Sequence, residues 1–154
     1  MNRLTKVVVA LPNHWAEHGT EDLWARRVGD DLFRLESVPF FAYDLNYGDV
    51  VRVHSVVREV VRRSGHTTLR VVFRREETRE RRIALLSELA PLKVSFEAWG
   101  DGFFALDVAP DGDVDAVLDR LDSLQNADVL GFETCEARRR GSFDDADHSS
   151  LRPG

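Results

Sequence analysis

Arg63-Ser64-Gly65-His66-Thr67-Thr68-Leu69-Arg70 gathers more polar chemistry than any other stretch of the chain. Gly65 permits a positive φ or a close backbone approach, so amides there can cradle an anion. Ser64 and Thr67 add hydroxyls. Arg63 and Arg70 offer guanidinium forks suited to carboxylate or phosphate. His66 could act as general acid or base near neutral pH. The same residues also read as a turn whose hydroxyls bond locally and whose arginines pair with Asp44 or Asp49. Catalysis asks for more, an activated nucleophile against an oriented base, and no such trio is legible. Ser64, His66 and Asp49 supply the residue types of a hydrolytic triad, but the Gly-x-Ser-x-Gly elbow is missing. Binding an anion or an acidic partner needs only amides and guanidiniums, so no catalytic residue is assigned.

Upstream, Asn46-Tyr47-Gly48-Asp49 is a turn that brings Tyr47 and Asp49 into the candidate site. Trp24, with Phe40, Phe41, Tyr43 and Tyr47, could wall a pocket. Phe40 or Phe41 is expected in the core instead. The candidate ligand- or partner-binding residues are therefore Trp24, Tyr47, Asp49, Arg63, Ser64, Gly65, His66, Thr67 and Arg70. His14-Trp15-Ala16-Glu17-His18 places two imidazoles four apart. Pro12-Asn13 and Gly19 confine them to about one helical turn, and no second His or Cys pair follows. A surface loop is expected there, with no metal and no cofactor. Cys135 is the single cysteine, which excludes an internal disulfide and fits a reducing cytoplasm. Glu133 and Glu136 flank it, so an inert strand thiol is expected.

The 154 residues carry a formal net charge of -6, unevenly spread. Residues 58–82 hold nine arginines against four glutamates, and residues 97–128 hold nine acids against Arg120 alone. Either the two tracts neutralise each other across the fold, or they form opposed faces that steer a charged partner. No apolar run approaches a membrane span.

These residues must be positioned by elements that the spacing also predicts. Lys6–Leu11, Leu23–Val28, Leu32–Val38, Val50–Val53 and Val56–Arg63 are β-rich runs separated by turn residues, the pattern of a small bent barrel or sandwich. From Thr68 the period alternates between two and 3.6. Thr68–Phe73 reads as a strand with Leu69, Val71 and Phe73 inward. Thr78 caps a helix with Ile83, Leu86 and Leu89 on one face, stopped by Pro91. Lys93–Trp99 and the run from Phe104 to Val108 are strands about a Gly100-Asp101-Gly102 turn. Asp113 caps a second helix with the stripe Val114, Val117, Leu118, Leu121 and Leu124. Val129–Ala137 is the last strand. The order β-α-β-β-α-β is that of a split βαβ, or ferredoxin-like, unit. The expected fold is α+β: a β-rich, barrel-like half (1–66) packed on a ferredoxin-like half (67–137), then a disordered tail (138–154). An RNA-binding sheet needs stacking aromatics on its open face. Here that face would show Arg70, Val72, Arg74, Phe103, Ala105 and Asp107, so nucleic acid is not expected.

Leu23-Trp24-Ala25, Leu35 with Val38-Pro39-Phe40-Phe41, Tyr47-Gly48-Asp49-Val50-Val51 and Arg63 to Arg70 together resemble a bacterial family, the domain of unknown function numbered four-two-six-five. The resemblance runs from Leu23 to about Glu136. It implies a small soluble bacterial protein and supplies no activity, cofactor or catalytic residue. The function expected from the residues is a non-enzymatic binding module in the cytoplasm, such as an inhibitor or immunity-type protein with a charged protein partner. The alternative is a small-anion-binding protein or enzyme centred on Arg63–Arg70.

Overall fold

The computed structural model describes residues 3–11 and 19–136. The His14/His18 loop and the expected tail lie outside them. The protein is mixed α+β and mostly β, with two antiparallel sheets and two α-helices among the described residues. The first sheet is a meander in sequence order: β1 (Leu4–Ala10), β2 (Thr20–Gly29), β3 (Leu32–Leu35), β4 (Val50–His54) and β5 (Val56–Arg62). The second holds β6 (Thr67–Phe73), β7 (Val94–Trp99), β8 (Phe103–Val108) and β9 (Leu130–Thr134), ordered β7-β8-β6-β9. Helix α1 (Arg79–Ser87) and a 3-10 turn lie between β6 and β7, and α2 (Val114–Asn126) between β8 and β9.

Period-two alternation builds the first sheet. Glu21, Leu23 and Ala25 of β2 point inward while Trp24 points out. Register shifts at Arg27/Gly29 and twice between β4 and β5 bend the sheet. Its first and last strands come alongside each other. The core inside it contains Val7, Leu23, Leu35, Phe41 and Val51, and also Val72 and Phe103 from the second sheet.

The second sheet buries Leu69, Val71, Phe104, Leu106 and Val108 under the helices. Both expected caps form: the Thr78 hydroxyl accepts from the Arg81 N–H at 3.2 Å, and the Asp113 carboxylate from the Ala116 N–H at 3.0 Å. In α2, Val117, Leu121 and Leu124 are buried, with Val114 and Leu118 partly so. In α1 the expected stripe is rotated. Ile83 is exposed, Leu85 joins Leu86 and Leu89 inside, and Arg82 is buried. The Arg82 guanidinium donates to the carbonyls of Asp101 (2.7 Å) and Arg74 (3.2 Å), which ties α1 to the β7–β8 turn. A helix of nine residues carries too few turns for its apolar spacing to fix the buried face.

The larger departure concerns the other face of the second sheet. The residues expected to be open there, Arg70 and Val72 on β6 and Phe103, Ala105 and Asp107 on β8, are all buried. The first sheet and the loop over residues 36–49 cover them. Phe41 meets Phe103 edge-on at 5.7 Å and Trp99 at 5.1 Å. No residue of β6 is exposed.

Candidate functional site

The candidate residues collect at the seam between the sheets, where nearly every polar group is used internally. Asp49 is fully buried. Its carboxylate accepts from the N–H of Asn46 (2.9 Å) and of Ser64 (2.8 Å), and Arg63 stands 3.5 Å away. Arg63 donates its other bonds to Asp44, 2.6 Å to the carbonyl and 2.9 Å to the carboxylate. The Ser64 hydroxyl donates to the Tyr47 carbonyl at 2.5 Å and accepts from the His66 N–H at 3.1 Å. The backbone crowds here. Gly48 has φ +83°, and a Cβ on it would lie 2.9 Å from that of Ser64.

Gly65 does take the positive φ expected of it, +91°, but a Cβ there would meet Pro110 at 3.3 Å. Its turn packs against the loop after β8 rather than opening around a ligand. The His66 Nδ1 faces the Asp107 carboxylate at 2.9 and 3.0 Å, and its ring lies 5.2 Å from that of Tyr47. Burial pushes the Asp107 carboxyl above its ordinary range, and the His66 hydrogen bond partly offsets that. The Asp partner of His66 is thus Asp107, not the Asp49 of the discounted triad. Asp49 instead holds the Ser64 amide. Thr67 opens β6, and the next amide, that of Thr68, donates to the Asn46 side chain at 2.9 Å.

Arg70 stands apart from Arg63. It is fully buried, with Nε 3.7 Å from Glu133 across the β6–β9 ladder and its guanidinium 4.7 Å from the Tyr43 ring centre. None of its guanidinium nitrogens has a hydrogen-bond partner among the described residues. The Tyr43 hydroxyl donates to Glu133 at 2.9 Å. Arg70 therefore presents no fork to an outside anion, and the two arginines do not converge. Beside it, Glu21 is buried and accepts from the N–H groups of Phe40, Phe41 and Ala42 at 2.7–3.1 Å. Cys135 is buried below this cluster, its thiol donating to the Ala42 carbonyl at 3.0 Å. Burial pushes its pKa up to about 11, with Arg70 pulling the other way and Glu133 and Glu21 adding to the rise. Burial is thus the main cause of the rise, ahead of the Glu133 charge that the sequence pointed to.

Trp24 lies elsewhere, on the outer face of β2, 47% exposed and with the Lys6 amine 5.0 Å over its ring. Leu4 and Val28 are exposed on the same two strands. The two charged tracts meet in the ion pair Arg74–Asp128 at 2.7 Å, and Lys93, outside both, pairs with Asp111 of the acidic one. Arg62, Arg75 and Arg79 remain exposed, as do Glu97, Asp115, Asp119 and Asp122. Sequence reasoning missed Glu21, and it named Tyr43, Asp107 and Glu133 without pairing them with Arg70 or His66. Glu21 carried a signal, since it shares the inward parity of Leu23 and Ala25.

These features define a two-sheet α+β protein whose seam is a buried network of ion pairs and hydrogen bonds. The chain belongs to the family described as a domain of unknown function, DUF4265, which matches residues 21–132. A solved structure described as a hypothetical protein from Neisseria gonorrhoeae is similar in fold, with a TM-score of 0.67 and 19% identity over 88% of this chain and 95% of that one. No curated protein matches the chain. Among the described residues, no helix is long and apolar enough to cross a membrane, and no cluster of His, Cys, Asp and Glu could hold a metal ion.

Proposed function

We propose that the chain is a non-enzymatic binding module of the bacterial cytoplasm, a barrel-like half packed on a ferredoxin-like half, that engages a charged protein partner as an inhibitor or immunity-type protein does. The observation that carries this reading is the contrast between seam and surface. At the seam, Arg63, Ser64, His66 and Arg70 are each engaged by an internal partner, Asp44, Tyr47, Asp107 and Glu133 in turn. On the outer face, Trp24 is held half exposed by a regular strand, with Lys6 over its ring. A large, rigid aromatic within a charged surround is the side chain that most often anchors a protein interface. The contact face is then the outside of β1 and β2 rather than a groove between the halves. The test is to capture partners from a lysate of the source organism and measure the purified partner's affinity by calorimetry. Trp24→Ala should weaken binding by tenfold or more, and His66→Gln should leave it within about twofold. A partner that binds Trp24→Ala as tightly as wild type sinks the reading.

A second reading has one observation of its own. The His66–Asp107 pair orients an imidazole whose side chain is 21% exposed, which is what a general base at a small-anion site would need. Phosphate titration of wild type and His66→Gln by NMR is its test. Saturable shifts at Tyr47, Ser64 and His66 that the variant loses would favour it.

A further inference from the structure

The second sheet ends in an open edge. The Ala109 N–H donates to the Lys93 carbonyl at 3.0 Å, and this sets the alternation of the β7–β8 ladder. Ser95, Glu97 and Trp99 turn their backbone groups toward β8. Val94, Phe96 and Ala98 turn theirs away from the sheet, and no backbone bond to another described residue satisfies them. The opposite edge is treated differently. There the outward N–H of Phe132 on β9 donates to the Gln125 side chain at 3.2 Å. In the first sheet the two edge strands, β1 and β5, come alongside each other, so neither stands open in the way β7 does. Edge strands are ordinarily blunted by bulges, proline, lysine or brevity. Val94–Trp99 runs six residues in unbroken register with β8, has no proline, and carries one charge, Glu97. Its side chains from Glu97 to Trp99 are exposed.

We infer that β7 pairs antiparallel with β7 of a second copy of this chain, with a two-fold axis through Phe96. That register pairs more of the strand with itself than any neighbouring one. A ladder needs outward-facing residues opposite one another, which a centre on any residue from Val94 to Ala98 allows and a centre between two residues does not. Only Phe96, the middle one, pairs the whole outward set: Val94 with Ala98 of the second copy, Phe96 with itself, Ala98 with Val94. On the other face each Glu97 then stands opposite Ser95, so the two carboxylates do not meet head-on. The Phe96 rings, already packed edge-on against Phe104 at 6.0 Å, would extend the helix-side apolar layer across the axis. The product is one continuous eight-stranded sheet with closed two-fold symmetry. This interface uses the second sheet and is independent of the Trp24 face on the first.

Sedimentation velocity of the full chain, from micromolar to several hundred micromolar, tests it. The expected result is a concentration-dependent rise toward twice the 17.5 kDa chain mass. Ser95→Glu sets like charges opposite each other twice per dimer and should weaken association about tenfold, whereas Ser95→Lys should strengthen it. Ser95 is exposed, so the fold survives either change. Ala98→Pro removes one outward N–H and should leave a monomer of unchanged circular dichroism. Hydrogen exchange locates the contact. The amides of Val94, Phe96 and Ala98 should gain protection as concentration rises. A chain that stays monomeric throughout overturns the inference, as does a dimer in which those three amides exchange freely or which both Ser95 variants leave unaltered.

Discussion

At the scale of single residues, two buried groups have consequences that can be measured. The Cys135 pKa is raised by burial from 9.0 to about 11. Its folded value lies above its unfolded one, so the thiol contributes stability that is complete below pH 9 and lost as pH climbs through 11. Urea melts at pH 8 and pH 11 should show wild type losing about 2 kcal/mol more than Cys135→Ala over that interval. Equal losses in the two proteins would mean that the thiol ionises without opening the fold. Arg70 is the harder case, because a buried cation without hydrogen bonds to the described residues is costly even beside a carboxylate. Arg70→Ala leaves Glu133 buried against the Tyr43 hydroxyl and should cost about 3–5 kcal/mol. Replacing both partners, with Arg70→Met and Glu133→Leu, should recover most of the loss. A double variant as unstable as Arg70→Ala would show that the pair itself holds the seam.

At the scale of elements, the helices give the next prediction and also show what a sequence can reveal. Helix α2 spans thirteen residues, enough turns for its stripe to fix the buried face. Leu121 is fully buried and Leu118 only partly. Leu121→Ala should therefore cost about 2–5 kcal/mol and Leu118→Ala distinctly less, read as the difference between their denaturation midpoints. Reversal of that order would place the core on the wrong side of the helix. A strand with one wet face, such as β2, is legible in principle, since alternation of Leu23 and Ala25 with Trp24 records which side meets water, although the expectation set Trp24 in a pocket wall. Strand β6 is not. Buried on both faces, its alternation of Leu69 and Val71 with Arg70 and Val72 reports chemistry rather than exposure. The site fared the same way. The turn at Gly65 and the bond from Arg63 to Asp44 were readable from local spacing. The pairs Arg70–Glu133 and His66–Asp107 join residues tens of positions apart, and only the strand order brings them together.

At the scale of the molecule, that strand order makes the two halves interdependent. The core within the first sheet is completed by Val72 and Phe103 from the second. The second sheet in turn relies on the first to cover Arg70, Phe103 and Ala105, all buried to the last atom of solvent contact. A fragment of residues 67–136 keeps both helices and all four strands. It would nevertheless expose an apolar row around the Arg70–Glu133 pair on its uncovered face. The hydrophobic term lost there falls on a domain of about 70 residues, a size at which a single core supplies only a few kcal/mol. The fragment alone should bind a hydrophobic dye and lack a cooperative melt. In the full chain, fluorescence of Trp24 and Trp99, which report on different sheets, should change at the same urea concentration as the far-ultraviolet circular dichroism. Single-tryptophan variants separate the two signals. If the Trp99 signal survived to a higher concentration than the Trp24 signal, the second sheet would be stable without its cover. The buried seam would then be an interface between independent domains rather than the shared core of one.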